Sequence, residues 1–290
     1  MSLNSQSSSN LKCGARSLDL ASPAVMGVLN ITPDSFSDGG NLYAGGHALV
    51  DKVLAVAEQM IADGAKILDI GGESTRPGAT PVTLDEELSR VVPVVAAINK
   101  RFDVIVSVDT SSPEVMLQAA DAGAGILNDV RGLSRPGALQ AAAQTHLPVC
   151  VMHMQGDPTT MQKRPDYDNV VDEVLDYLNE RIEACVDAGI KRENIILDPG
   201  FGFGKTVEHN LLLLAHLERF SQHRLPLLVG MSRKSMLDKI TGRGVHDRLA
   251  GSITLAALAA ERGANIIRVH DVKETADALA VVLALKDVYS

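Results

Sequence analysis

Eight short apolar runs recur along the chain, and each ends on, or runs into, a polar residue able to do chemistry. They span residues 25–29 before Asn30, 67–70 before Gly71-Gly72-Glu73, 104–108 before Asp109 and 126–127 before Asn128. Then come 149–152 before His153, 195–197 before Asp198, 227–231 before Ser232, and 266–269, which carries Arg268 and ends at His270. Val/Ile/Leu runs with little polar alternation suit strands covered on both faces, as parallel sheets require. Helix-like stretches separate them, so the pattern predicts an α/β chain folded as a single (β/α)₈ TIM barrel. In that architecture the catalytic groups stand at the C-terminal ends of the strands.

Connectors and caps support the same layout. A helix–Gly–strand junction repeats as Asp63-Gly64-Ala65, Ala122-Gly123-Ala124 and Arg262-Gly263-Ala264, with a looser copy at Ala188-Gly189. Gly just past a helix takes the left-handed conformation that other residues adopt at a cost, and its repetition marks tandem βα units. Thr83 to Glu86 and Ser111 to Glu114 both have the capping-box form. Behind them Leu84, Leu88, Val91 and Val95 have helical spacing, as do Val170, Val174, Leu175 and Leu178. Loops at 32–40 and 73–79 are long and polar, and read as covers over the barrel mouth.

A chain of 290 residues with 46% hydrophobic content can bury one large core, and α/β barrels commonly need ~250 residues. The Ser/Asn-rich start lacks a charged segment followed by an apolar one, so it does not read as a secretory signal. Residues 1–16 read as a disordered leader and 17–290 as the catalytic domain. No apolar run approaches the roughly 20 residues that span a bilayer. A net charge of −9 without Trp disfavours nucleic-acid or membrane-surface partners, since no basic face is offered. Three distant cysteines without a CxxC pair support neither a disulfide framework nor a zinc cluster, and make a cytoplasmic setting the expectation.

The segment 198–206, DPGFGFGKT, invites a phosphate-loop reading that its spacing rejects. Only three residues separate Gly200 from Gly204-Lys205, whereas a Walker A loop needs four, and G-x-G-x-G is not a dinucleotide fingerprint. Asp109, Asn128 and Asp198 at three strand ends suit a planar, nitrogen-rich heterocycle, because carboxylates accept paired N–H donors and Asn both donates and accepts. The plainer reading of each alone is a helix N-cap. Cations gather at the same rim: Arg76, Arg233, Lys234 and Arg268, with His270. That placement in an acidic chain points to an anionic substrate, such as a phosphate bound near the last two strands. Arg233 and Lys205 read equally well as residues outside the chemistry, and His153 as structural or pocket-lining. No tight transition-metal motif is present; Mg²⁺ held largely by substrate oxygens needs only one or two ligands, and Asn30 can be one.

Taken together, the motifs resemble the dihydropteroate synthase family. They are VLNITPDSFSDGG at 28–40, GGESTRPG at 71–78, SVDT at 107–110, Asn128-Asp129, DPGFGFGK at 198–205, SRKS at 232–235 and RVHD at 268–271, in family order. The resemblance implies Mg²⁺-dependent condensation of 6-hydroxymethyl-7,8-dihydropterin pyrophosphate with p-aminobenzoate, giving 7,8-dihydropteroate and pyrophosphate. It implies that Asp109, Asn128, Asp198 and Lys234 hold the pterin, with Thr75, Arg268 and His270 also on the pterin pyrophosphate. Phe36, Thr75, Arg76, Pro77, Phe203 and Ser232 would shape the p-aminobenzoate site. Asp109, Lys234 and Arg268 would be catalytic, and Asn30 would touch Mg²⁺. Sensitivity to sulfonamides and a homodimeric state follow from the same resemblance.

Three rivals stand beside it. A pterin-binding methyltransferase with a corrinoid partner shares the Asp109/Asn128/Asp198 logic but does not need the first two loops or an anion pocket. A Schiff-base aldolase would use Lys234. A pterin-binding barrel without turnover would release no pyrophosphate.

Overall fold

The computed structural model describes residues 10–31, 46–73, 82–156, 161 and 165–289. A hairpin, β1 (Asn10–Cys13) and β2 (Arg16–Asp19), precedes the barrel. Its first half is β3 (Ala24–Asn30), α1 (Gly46–Ala62), β4 (Ile67–Gly71), α2 (Leu84–Arg101), β5 (Ile105–Asp109), α3 (Pro113–Asp121), β6 (Ile126–Asp129) and α4 (Ala138–Thr145). The second half is β7 (Val149–Met152), α5 (Val170–Asp187), β8 (Ile195–Asp198), α6 (Val207–Ala215), β9 (Leu228–Val229), α7 (Ser235–Thr241), α8 (Leu249–Glu261), β10 (Ile266–Val269) and α9 (Val272–Tyr289). Neighbours from β3 to β8 pair in parallel, β10 pairs with both β3 and β9, and a parallel bridge from Leu197 to Leu227 returns to β8. The expected (β/α)₈ barrel is therefore present. The run at 227–231 gives only two residues to the strand, and at its start the Leu227 N–H is taken by Asn265 Oδ1 at 2.9 Å.

The strands meet in an apolar floor inside the barrel, made of Met26 with Ala24, Ile67, Ile105, Ile126, Cys150, Ile196, Leu228 and Ile266. Leu11, Cys13 and Leu18 of the hairpin pack on this floor and plug the N-terminal end of the barrel. A second, larger apolar layer lies between the strands and the surrounding helices. The connector glycines Gly64, Gly123 and Gly263 take φ of 108°, 103° and 95°, the left-handed turn their position demands.

Two expectations need correction. Residues 10–16, read as part of a leader, form a strand and turn that bury Leu11 and Cys13, and Arg16 donates to Asp103 Oδ1 at 2.8 Å and Asn99 Oδ1 at 2.6 Å. A four-residue strand is too short for its alternation to stand out from a polar leader. Residues 1–9 lie outside the described residues. The capping box at Thr83 forms with Glu86, but the one expected at Ser111 does not. The helix there starts one residue later, and Ser111 Oγ instead donates to the Asp129 carboxylate. Leu84, assigned to the apolar stripe of α2, is exposed, whereas Val91 and Val95 are buried. Val170, Val174, Leu175 and Leu178 are all buried in α5. All three cysteines are unpaired and buried. Among the described residues, no helix is long and apolar enough to cross a membrane.

Candidate active site

Side chains alternate along a strand, so the positions two residues beyond the apolar floor also face the barrel axis. Five of those eight positions are polar, Asp69, Ser107, Asn128, Asp198 and Arg268, while the others are Val28, Met152 and Gly230; two further on stand Asn30, Asp109, Ser232 and His270. The polar mouth is thus dictated by register: Asp69 pairs with Ser107, Asp109 with Asn128, and Met152 with Asp198 in neighbouring strands.

Arg268 organises this mouth. Its Nε donates to Asp69 Oδ2 at 2.6 Å and its other nitrogen, Nη2, to Asp109 Oδ2 at 2.9 Å. Asp69 is completely buried and accepts two more bonds, from Ser107 Oγ at 2.6 Å and Asn128 Nδ2 at 3.2 Å. Burial pushes the Asp109 carboxyl up to about 7, with Arg268 opposing and Asp69, Asp129 and Glu73 adding to the rise. Against its own burial, Asp69 and Asp109 hold the Arg268 guanidinium charged beyond the ordinary arginine range. Two carboxylates sharing one cation leave one of them poised near neutrality, the kind of perturbation that marks working sites.

Across the mouth, Asp198 ends β8. Its Oδ1 accepts the Gly200 N–H at 2.7 Å, so the turn-capping reading accounts for one oxygen, yet none of Asp109, Asn128 and Asp198 is a helix N-cap. Burial raises its pKa, opposed chiefly by Lys234. Lys234 caps α7, donates to the Phe201 carbonyl, and holds its ammonium 4.5 Å from the Phe203 ring centre, a cation–π contact. Burial draws Lys234 down to about 8, against the pull of Asp198. Ser232 follows β9, and its Oγ lies 3.1 Å from His270 Nδ1 while accepting the His270 N–H at 3.2 Å.

The structure therefore brings together Asp109, Asn128, Asp198, Lys234, Arg268, Phe203, Ser232 and His270, with Asn30 at the end of β3. Arg268, expected to be catalytic and to bind the pyrophosphate, commits two of its nitrogens to Asp69 and Asp109. Arg233, left open between an anion-binding and a surface role, pairs with Asp271 through Nε at 2.9 Å. Phe36, Thr75, Arg76 and Pro77 lie outside the described residues. Sequence reasoning passed over Asp69, although a charged residue inside an apolar run was a visible signal. It also passed over the pairs around the mouth, Thr110 Oγ1 to Glu87 Oε1 at 2.6 Å and Arg131 to Glu73 at 3.3 Å, which no motif announced. Burial raises the Glu87 pKa, and Thr110 opposes the rise.

Among the described residues, no group of three or more His, Cys, Asp or Glu is arranged to hold a metal ion. The expected Asn30 ligand suits a different arrangement. A Cβ at Gly71 would stand 3.2 Å from Asn30 Oδ1, so the glycine keeps the space beside that oxygen open. One neutral oxygen with substrate phosphates is a donor set that suits Mg²⁺.

Comparison with known proteins agrees with this geometry. Residues 26–270 match the pterin binding enzyme family. The dihydropteroate synthase of Escherichia coli K12 is 58% identical over 268 residues, covering 92% of this chain and 93% of that protein. The Yersinia pestis dihydropteroate synthase, solved with a sulfonamide drug complex, superposes with a TM-score of 0.90 at 52% identity, covering 96% and 99% of the two chains. The Xanthomonas albilineans enzyme in complex with 7,8-dihydropteroate gives a TM-score of 0.86 at 45% identity, covering 96% and 98%. A barrel whose mouth pairs carboxylates, an asparagine and a lysine with an arginine–histidine end thus places this chain in the pterin binding enzyme family, among the dihydropteroate synthases.

Proposed function

We propose that the chain is the transferase that condenses 6-hydroxymethyl-7,8-dihydropterin pyrophosphate with p-aminobenzoate, releasing 7,8-dihydropteroate and pyrophosphate, and that sulfonamides compete for the p-aminobenzoate site. One observation supports it above the rest: Asp109, Asn128, Asp198, Lys234 and Arg268 converge on one barrel mouth from separate strands and loops. The corrinoid methyltransferase and binding-only readings lose ground to relatives named as synthases over nearly the whole chain.

In this reading Asp109 and Asp198 accept from the N–H edge of the pterin, Asn128 donates and accepts beside them, and Lys234 donates to the ring. Arg268 and His270 receive the departing pyrophosphate, where fixed positive charge stabilises the negative charge that develops. Asn30 would hold Mg²⁺. Bound there, the ion would share the charge of the pyrophosphate oxygens. The dihydropterin stabilises cationic character at the exocyclic carbon, and the arylamine of p-aminobenzoate attacks it. An aromatic amine is largely unprotonated at neutral pH, so the chain needs no strong general base, in keeping with the lack of a nucleophile–His–carboxylate triad among the described residues. Phe203 and Ser232, with the loop residues Phe36, Thr75, Arg76 and Pro77, shape the arylamine site. The reading carries with it a cytoplasmic homodimer; the location is supported by three unpaired thiols suited to a reducing compartment, and the dimer by the family resemblance.

Asp109→Asn and Lys234→Ala should each lower kcat/KM by at least about 100-fold, the scale of losing one preorganised charge; near-normal values in both would remove the assignment. The pH profile has a defined sign. Asp109, raised to about 7, gains a proton as pH falls and so loses its charge and turns one oxygen from acceptor to donor, and Lys234, lowered to about 8, loses its charge as pH rises. We expect kcat/KM to peak between those values and fall on both sides, since that constant reports the free enzyme; a profile flat over roughly pH 6 to 9 would contradict the roles. Asn30→Ala should raise the Mg²⁺ concentration for half-maximal activity about tenfold, the worth of one oxygen ligand at roughly 1.4 kcal/mol. An unchanged Mg²⁺ dependence would free Asn30 from that role.

A further inference from the structure

The three-glycine segment that fits no phosphate-binding pattern wraps a buried amine. Lys205, 4% exposed, donates from Nζ to the carbonyls of Gly200 at 2.9 Å and Phe203 at 3.0 Å. His153 Nδ1 stands 2.8 Å away, and the His153 carbonyl accepts at 3.4 Å. An ammonium has three protons for these acceptors, whereas a neutral amine has two and would turn its lone pair on one of them. Burial holds His153 neutral, its pKa lowered to about 2 with Lys205 adding to the effect, so the ring can offer Nδ1 as an acceptor. Burial also draws Lys205 well below the usual lysine range, with Asp198 opposing.

The glycines make the wrapping possible. Gly200, Gly202 and Gly204 take φ of 70°, 80° and 59°. A Cβ would lie 1.8 Å from the His153 carbonyl oxygen at Gly200, 2.6 Å from the Gln155 carbonyl oxygen at Gly204, and 2.8 Å from Lys234 Cδ at Gly202. One side of the loop is pressed on the exit of β7 and another on Lys234. The Tyr167 hydroxyl adds a bond to the Gly204 carbonyl at 2.8 Å. The same loop carries the Phe201 carbonyl, which accepts from Lys234, and the Phe203 ring against which the Lys234 ammonium rests.

We propose that Lys205 is a positioning residue: its amine, bonded to the Gly200 and Phe203 carbonyls and to His153, holds the loop in the turn that sets Phe201 and Phe203, and through them Lys234. The inference rests on the reading of Lys234 and Phe203 as substrate-contacting groups. It assigns a role to a buried amine that the condensation itself does not use.

The test is Lys205→Met in the full chain, assayed per folded molecule well below its melting temperature. Loss of the hub should raise KM for p-aminobenzoate and lower kcat, each by about tenfold, since small misplacements of reacting groups carry large rate costs. A merely structural lysine would lower the melting temperature and leave both constants within about twofold of the parent, and that outcome would overturn the proposal. His153→Leu, which removes one acceptor and keeps the amine, should move the same two constants the same way by a smaller factor. The double variant should be no worse than Lys205→Met, because the two act as one unit; additive losses would count against it. Should Lys205→Met fail to fold, parent-like constants in His153→Leu overturn the proposal by themselves. The parent is assayed alongside: no turnover by the parent sinks the reading of the site, whereas an active parent with unaltered variants sinks only the role of Lys205.

Discussion

A guanidinium held between two carboxylates inside the barrel is the contact on which the mouth of this molecule depends. Arg268 reaches Asp69 and Asp109 from β10, across 199 and 159 residues of sequence, and only closure of the ring puts those strands within reach. Moving a charge out of water costs several kcal/mol even after relaxation, so three charges here demand dense hydrogen bonding. Asp69 answers that demand with bonds to Arg268, Ser107 and Asn128. Asp109 is less fully supported and titrates near neutrality. The two carboxylates on one arginine therefore differ: Asp69 is locked by three hydrogen bonds, whereas Asp109 keeps more of its accepting capacity.

The layering of the barrel explains why such charges are tolerated. Nine apolar strand side chains and the N-terminal hairpin seal the floor, and two residues higher five of the eight strands carry a polar side chain: Asp69, Ser107, Asn128, Asp198 and Arg268. Because strand period fixes which residues face inward, one register shift would bury the polar set among the helices and aim Val and Leu at the substrate. The exit of β8 is closely packed. Its alternate glycines bring backbone within contact of β7 and of Lys234.

Much of this was legible in the residues. The eight runs, the helix–Gly–strand connectors and the polar strand ends gave the barrel, and Asp109, Asn128, Asp198 and Arg268 stood out because polar residues interrupt or end apolar stretches. Asp69 was visible as a charged residue inside an apolar run, but its role emerges only when strand register sets it beside Ser107 and the closed ring brings Arg268 to it. The hairpin was hidden by its length. Lys205 was hidden by geometry: its partners are mostly backbone carbonyls, which every residue carries, so no residue type could advertise them. Ser111 shows the converse, a motif match whose side chain found the better acceptor in Asp129 across the fold.

The most direct test of the whole account is release of pyrophosphate from 6-hydroxymethyl-7,8-dihydropterin pyrophosphate with Mg²⁺, measured with and without p-aminobenzoate. The account predicts release that depends on p-aminobenzoate, with dihydropteroate formed in step and both suppressed by a sulfonamide. A pterin that binds while neither pyrophosphate nor dihydropteroate appears would contradict it.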